Sequence, residues 1–230
     1  MEFRVLTDFQ ADILNILFEE GIGEFGYYLT GGTALSEFYL QHRYSDDLDF
    51  FTREERSLKE DNEIFIKIFY NHGFEIVSAE VSNEYARFFV SLARRPREQL
   101  KIEFARDVPA MISPPKMHEK IIVDSFEDIA VNKICAILNR EPPEPKDFVD
   151  LFYILEGSRY SVDYLINRAR EKEGTLDNEY GILQFATNLL RVDDCQFLPR
   201  MIKPLSIEVL KSRLVPIAHE LLHPLQPQKR

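Results

Sequence analysis

Two adjacent glycines, Gly31 and Gly32, constrain the fold more than any other feature of this sequence, because they separate two segments of different character. Residues 27–30 are aromatic and β-branched, as in a strand, whereas residues 33–40 have helical composition. Glycine lets a backbone approach a ligand closely, and the first turn of a helix offers free N–H groups to phosphate oxygens. We therefore expect a strand, a glycine turn and a helix, with Gly31, Gly32 and Thr33 forming a seat for phosphate.

Three acidic residues on two predicted strands are candidate metal ligands. Asp47 and Asp49 enclose Leu48 at a predicted strand over residues 48–52, where a period of two directs both carboxylates to one face. Glu103 lies on a further predicted strand, residues 100–105, that can lie beside the first. Three such acids can hold two Mg²⁺ ions, one activating a hydroxyl and one steadying a leaving pyrophosphate. The alternative is that all three carboxylates simply face solvent.

The predicted elements divide the chain into two lobes. Up to residue 112 strands and helices alternate, and after Pro114-Pro115 the periodicity is helical. The remaining elements are predicted as helices over residues 8–20, 64–71, 126 onward, 148–155, 162–169 and 207–222, and as strands over 74–77 and 86–93. The sequence thus predicts an α/β chain: a mixed-sheet lobe (1–112), a helical lobe that completes an active-site cleft (113–222) and a frayed tail (223–230).

The first helix of the second lobe places two cations where apolar residues belong. At 100° per residue, Lys133 falls near the centre of its apolar stripe and Arg140 falls beside it. Long side chains can reach water from such positions, but a pair on one seam favours anion binding. On the next predicted helix, Asp147 flanks the apolar stripe and Asp150 is predicted to point away. Asp147 is also explained by the preference of carboxylates for the first helical turn.

These residues together resemble a known family, the AbiEii/AbiGii toxin nucleotidyltransferases. The resemblance spans residues 25–155 and rests on Gly31-Gly32-Thr33-Ala34-Leu35, Arg43-x-Ser45-x-Asp47-Leu48-Asp49-Phe50, Asp128-Ile129-Ala130-x-x-Lys133 to Arg140, and Lys146-Asp147-x-x-Asp150-Leu151. It implies the polymerase-beta-like nucleotidyltransferase fold and Mg²⁺-dependent transfer of a nucleoside monophosphate from a nucleoside triphosphate.

The resemblance also implies roles for individual residues. The family's metal acids fall on Asp47 and Asp49, its active-site lysine on Lys133 and its later aspartate on Asp147. Its phosphate-contacting turn falls on Gly31, Gly32 and Thr33, and we assign Arg43, Ser45 and Arg140 to the nucleotide-binding set with them. Asn132 and Lys146 stand where the family often has an acid and an arginine, which affects substrate choice more than the catalytic set. Asp150 matches a recurrent family position without a predicted role.

Charge and cysteine content bear on partners and compartment. The net charge is −11, so a general electrostatic attraction to nucleic acid is not expected. A tRNA or other RNA acceptor would need a local basic patch, for which the candidates are Arg87, Arg94, Arg95, Arg97 and Lys101. A protein or small-molecule acceptor is an alternative, and family members act as toxins paired with an antitoxin. Two cysteines, and no apolar run suited to a signal peptide or membrane span, predict a cytoplasmic protein.

Two other functions compete with this interpretation. His219-Glu220-Leu221-Leu222-His223 fits the HExxH pattern of zinc proteases, but no further ligand follows and Pro224 ends the helix. The second is a non-catalytic module that keeps the fold and binds nucleotide without turnover. The presence of Asp47, Asp49 and Lys133 argues against it. The other histidines, His42, His72 and His118, lack ligand spacing and are predicted at the surface.

Overall fold

A computed structural model describes residues 4–92 and 95–223, and leaves the side chains of residues 95 and 96 undescribed. The chain divides into two compact units. The first comprises the described residues of Met1–Val108 together with Pro114–Ser125, and the second comprises Pro109–Ser113 and the described residues of Phe126–Arg230. Apart from His223, the predicted tail lies outside the described residues.

The first unit is built on a seven-stranded mixed sheet. Its strands are β1 (Tyr28–Thr30), β2 (Leu48–Thr52), β3 (Phe74–Val81), β4 (Tyr85–Leu92), β5 (Arg95–Arg106), β6 (Lys116–His118) and β7 (Ile121–Val123). Their order is β3-β4-β5-β2-β1-β7-β6. Strand β2 is antiparallel to β1 and parallel to β5, so the mixed α/β class expected from the sequence is confirmed.

Three helices accompany this sheet: α1 (Asp8–Glu19), α2 (Gly31–Ala34) and α3 (Leu58–Asn71). Helix α1 begins with a reciprocal cap in which Thr7 Oγ1 accepts from the Gln10 amide at 3.2 Å and Gln10 Oε1 accepts from the Thr7 amide at 2.9 Å. Helix α2 continues as a π-helical segment, Leu35–Leu40. The predicted strand, glycine turn and helix are therefore present.

An aromatic core fixes which face of the sheet is left for chemistry. The Phe104 ring stacks on Phe65 of α3 at 3.9 Å and on Phe50 of β2 at 5.0 Å between centroids. Phe50 and Phe104 are fully buried, whereas their strand neighbours Asp49 and Glu103 are only half-buried. Because side chains alternate along a strand, these acids project from the opposite face of β2 and β5.

The second unit is helical, as predicted. Its helices are α4 (Phe126–Asn139), α5 (Pro145–Gly157), α6 (Val162–Ala169), α7 (Glu179–Leu190) and α8 (Ile207–Leu222). Within the described parts of the chain, no helix combines the length and apolarity needed to cross a bilayer.

The structure contains elements that the sequence did not predict, besides starting α3 and β5 earlier than expected. Residues 114–125, expected in the helical lobe, contribute β6 and β7 to the sheet, where Val123 pairs with Leu29 of β1. Three-residue strands are too short for periodicity to reveal. The paired residues Leu29 and Val123 are also far apart in the sequence, so no local pattern predicts their contact. Helix α7 was not predicted, although Ile182, Phe185 and Leu189 have helical spacing.

The predicted surface positions of the histidines are wrong for His42. It is fully buried, while His118 packs edge-on against Phe38 at 5.2 Å between ring centroids and is half-buried. His72 is exposed and pairs with Glu20 at 2.8 Å. Ligand spacing in the sequence carries no information about burial, which depends on tertiary packing.

Candidate active site

The glycine turn lies directly against Asp49 of β2. Thr30, the last residue of β1, pairs with Asp49 in the sheet register, and Gly31 then takes a positive φ of 71°. A Cβ atom built on Gly31 would collide with the Asp49 carboxylate. The backbone conformation therefore favours glycine at this position, and a larger residue would have to displace the Asp49 side chain.

Arg43 and Ser45 contact the same turn. A Cβ atom on Gly32 would lie 2.5 Å from Arg43 Nη2 and 3.1 Å from Ser45 Oγ, so both side chains rest on the Gly32 backbone. Arg43 is buried and donates through Nη1 to the carbonyl of Tyr44 at 2.9 Å. The structure thus brings these two nucleotide-binding candidates to the predicted phosphate seat.

Thr33 has a structural task in this turn. Its side chain is fully buried, and its hydroxyl donates to the backbone carbonyl of Asp47. This bond fastens the turn to the residue that precedes β2. With its hydroxyl proton used in this way, Thr33 can offer a phosphate only its backbone N–H.

The three acids lie near one another on the face opposite the aromatic core. Asp49 and Glu103 are direct partners in the parallel pairing of β2 with β5, and Asp47 comes one residue before β2. The ammonium of Lys101 donates to Glu103 Oε2 at 2.9 Å and lies 2.8 Å from Asp47 Oδ2. A cation therefore already bridges two of the three predicted metal ligands.

Tyr85 of β4 completes this cluster. Its hydroxyl donates to Glu103 Oε1, and burial together with the neighbouring carboxylate raises the pKa of Tyr85 to about 12. Burial alone would raise the pKa of Glu103, but the bonds from Tyr85 and Lys101 outweigh it and the net shift is downward. For Lys101, burial lowers the pKa and the bonds to Asp47 and Glu103 raise it above its ordinary range. Glu103 and Lys101 are therefore held as a charged pair.

The donor chemistry of these acids fits a hard divalent cation such as Mg²⁺. Two of them share one cation, and the third is adjacent in the sheet register. As the side chains stand, the described residues contain no group of three or more His, Cys, Asp or Glu side chains placed to hold a metal, around the HExxH histidines of α8 or elsewhere. Between Asp47 and Glu103 lies the Lys101 ammonium, within 2.9 Å of an oxygen of each.

In the helical unit, Lys133 is held by two carboxylates. Its ammonium lies 2.7 Å from Asp150 Oδ2 and 3.3 Å from Asp147 Oδ1, and its side chain is 9% exposed. Lys133 therefore does not extend to water along the apolar surface. Asp147 also accepts from Arg140 Nη1 at 2.5 Å, while the Arg140 side chain remains 41% exposed. The two predicted cations thus converge on one fully buried aspartate.

The predicted outward direction of Asp150 is wrong. Asp150 is fully buried and is the nearer partner of Lys133 among these two aspartates. Helix α5 is buried from Asp147 through Phe152, so it has no solvent-facing side over this stretch. A helical-wheel projection assumes one apolar face, and that assumption fails where neighbouring elements surround a helix.

Asn132, which stands where the family often has an acid, takes part in a separate buried cluster. Lys172 donates to Asn132 Oδ1 at 2.9 Å and to the carboxylate of Asp128. Asp128 also accepts from the backbone amides of Ile112 at 2.6 Å and Ser113 at 3.2 Å. The sequence contains no local signal for Lys172, because its partners are about forty residues away.

The predicted basic patch is partly neutralised. Arg87 is paired with Glu80 at 2.5 Å, and Lys101 is bound to the acids described above. Arg97 is exposed, whereas Arg94 and the side chain of Arg95 lie outside the described residues. Lys101, a predicted candidate for an RNA-binding basic patch, is bound to the acids Asp47 and Glu103 instead.

Comparisons with known proteins show the family and the fold. The sequence model of the family "Nucleotidyl transferase AbiEii toxin, Type IV TA system" matches residues 16–215. Among curated proteins, none matches the chain significantly.

Several solved structures share the fold. One described as a nucleotidyltransferase from H. pylori is 18% identical, with a TM-score of 0.62 over 97% of this chain and 100% of its own. JHP933 from Helicobacter pylori is 19% identical, with a TM-score of 0.56 over 96% and 94%. The nucleotidyltransferase toxin MenT4 from Mycobacterium tuberculosis is 16% identical, with a TM-score of 0.53 over 94% and 84%.

Proposed function

Since the chain belongs to the AbiEii nucleotidyl transferase toxin family and is a nucleotidyltransferase, we propose that it transfers a nucleoside monophosphate from a nucleoside triphosphate to an RNA acceptor, with tRNA favoured. The observation that carries the proposal is the gathering of Asp47 and Glu103 around one cation, with Asp49 against the Gly31 turn. Hard carboxylate donors beside a backbone turn are the elements that a metal-bound triphosphate requires.

In the proposed reaction, an acceptor hydroxyl attacks the α-phosphorus of the triphosphate. A new P–O bond forms to the acceptor, the bond to the β-phosphate oxygen breaks, and pyrophosphate leaves. Asp47, Asp49 and Glu103 would hold two Mg²⁺ ions. When bound, Mg²⁺ would neutralise phosphate charge and activate the hydroxyl. The acceptor proton passes to solvent or to a phosphate oxygen.

The first unit contributes phosphate binding. The backbone N–H groups of Gly31, Gly32 and Thr33 would donate to triphosphate oxygens, since neither glycine has a side chain to obstruct them. The buried Arg43 guanidinium and the Ser45 hydroxyl rest on Gly32 and would hold the turn or bind phosphate directly.

The resemblance places the family's active-site lysine at Lys133, on α4. Lys133 would neutralise charge that develops on the phosphates, with Arg140 assisting. Asp147 and Asp150 hold the Lys133 ammonium at 3.3 and 2.7 Å, which supports an orienting role for both aspartates. An ammonium fixed in one position gains more in the transition state than one that must be ordered first.

We propose that the enzyme acts in the cytoplasm, as its cysteine content predicts. We propose that it is the toxin of a pair because the family description names a type IV toxin-antitoxin system. A cognate antitoxin is therefore the proposed protein partner. With a net charge of −11, RNA binding would depend on exposed cations such as Arg97.

Labelled transfer tests the proposal. Purified protein is incubated with Mg²⁺, each α-labelled nucleoside triphosphate in turn, and total tRNA, bulk RNA or protein extract. We expect label in tRNA with the wild type and with Asp46→Asn, an exposed neighbour, but a loss of at least about a hundredfold with Asp47→Asn. Label that enters protein instead would reassign the acceptor, and nucleotide binding without any transfer would favour the non-catalytic module.

A further inference from the structure

The Lys101 ammonium lies between two of the residues proposed to hold metal. It lies within 2.9 Å of one oxygen from Asp47 and one from Glu103, and these two residues belong to the proposed metal set. An ammonium and a divalent cation cannot both occupy the space between the same two oxygens. Lys101 and the metal therefore compete for the site.

The fold directs Lys101 to this position. Lys101 and Glu103 are two residues apart on β5, so both side chains project from the face opposite the aromatic core. Without a cation, Glu103 and Asp49 would be like charges directly opposite one another in the register of β5 and β2. Such pairs are destabilising, and the Lys101 ammonium relieves part of that repulsion.

We propose that Lys101 is a tethered counter-ion of the acidic site, which keeps metal affinity low until a nucleoside triphosphate is present. When metal and triphosphate bind together, the metal takes the carboxylates and the Lys101 ammonium moves to phosphate oxygens. The carboxylates and the Lys101 ammonium both keep an oppositely charged partner only if metal and triphosphate bind together. Metal and triphosphate therefore bind cooperatively. This inference rests on the proposed function.

Mn²⁺ binding, followed by the electron paramagnetic resonance of the free ion without nucleotide, tests the proposal. We expect Lys101→Met to bind Mn²⁺ about tenfold more tightly than the wild type, since a competing unit charge at ion-pair distance has been removed. Lys101→Arg keeps the charge and should remain close to the wild type. Lys67→Met, which removes an exposed lysine from α3, should leave the affinity unchanged.

A second titration adds a non-hydrolysable triphosphate analogue, and the Mn²⁺ that the analogue binds without protein is measured separately and subtracted. The gap between the wild type and Lys101→Met should then narrow, because the phosphates accept the ammonium only in the wild type. A misfolded variant would lose affinity for Mn²⁺, so the expected gain separates this role from a structural one.

The outcomes distinguish this inference from the proposed function. If Asp47→Asn abolishes Mn²⁺ binding but Lys101→Met binds no more tightly than the wild type, Lys101 is not a competing counter-ion while the metal site stands. If the wild type and Lys101→Met both fail to bind Mn²⁺, with and without the analogue, the metal site itself is refuted together with this inference.

Discussion

Gly31 shows how closely a single residue is specified by its surroundings. Its φ of 71° favours glycine, and the Asp49 carboxylate occupies the space that a Cβ atom would need. The sequence indicated the first requirement through its paired glycines. The second depends on the register of β1 with β2 and was not visible in the sequence.

The two requirements at Gly31 can be measured separately. Gly73 has a similar φ of 77° but nothing within 4 Å of its virtual Cβ, so Gly73→Ala should lose only the backbone term, about 1 kcal/mol in the free energy of unfolding. Gly31→Ala should lose more than this, and its transfer activity should fall because Asp49 is displaced. Urea unfolding and labelled transfer report the two effects, and equal losses of stability would contradict the steric argument.

Lys133 illustrates a different problem: the sequence predicts its chemical role, but it directs Asp150, the nearer of its two carboxylate partners, away from it. A buried ammonium needs compensating charge, and both Asp147 and Asp150 supply it. Losing one partner from a buried pair is costly, whereas replacing both members by apolar residues often is not.

This difference gives a test by double mutation. Asp150→Ala should lower the free energy of unfolding by about 3 kcal/mol, and Asp150→Asn, which keeps an acceptor for the ammonium, should lower it less. Asp150→Leu should likewise destabilise the protein. Adding Lys133→Met to Asp150→Leu should recover most of the lost free energy of unfolding, but it should recover no transfer activity. Recovery of activity in the double variant would show that Lys133 is structural only.

At the scale of elements, the start of α4 organises the segment Pro109–Ser113 within the helical unit. Glu127 accepts from Ser113 Oγ at 2.6 Å and from Arg168 of α6 at 3.3 Å, and the Tyr164 hydroxyl also donates to it. Burial raises the pKa of Glu127, but these bonds outweigh it and the net shift is downward. The charged form of Glu127 thus joins three parts of the unit.

The sign of this shift predicts the pH dependence of Glu127→Gln. A carboxyl whose pKa is lower in the folded state stabilises it above the unfolded pKa, near 4.3, and this contribution is lost as the pH falls through the folded value. The variant should therefore be less stable than the wild type at neutral pH, and the gap should narrow in acid. Urea titrations at neutral and acid pH measure the difference in free energy of unfolding between the wild type and the variant. A difference that does not change with pH would contradict the proposed role of the Glu127 charge.

For the molecule as a whole, the acidic net charge limits how RNA can be held. Arg87, Lys101 and Arg106 are paired with acids, so the first unit presents fewer unpaired cations than its sequence indicates. An RNA acceptor would then be bound through few phosphate contacts.

Few phosphate contacts predict a shallow salt dependence. Proteins that make 6–10 such contacts lose about 10³–10⁵ in affinity between low and physiological salt, and we expect a loss of less than about tenfold here. Binding of labelled tRNA across a salt series measures the slope. A steep slope would reveal a basic surface beyond the described arginines.

The local sequence by itself determined the strand, glycine turn and helix and the helical second unit, because each depends on residues close together in the chain. The family resemblance comes from several such short motifs taken together. Tertiary structure alone decided that Lys101 bridges Asp47 and Glu103, that Asp150 is buried against Lys133 and that residues 114–125 complete the sheet. Strand register and helix packing join residues that are distant in sequence, and periodicity reports only which face a side chain takes, not what lies opposite that face.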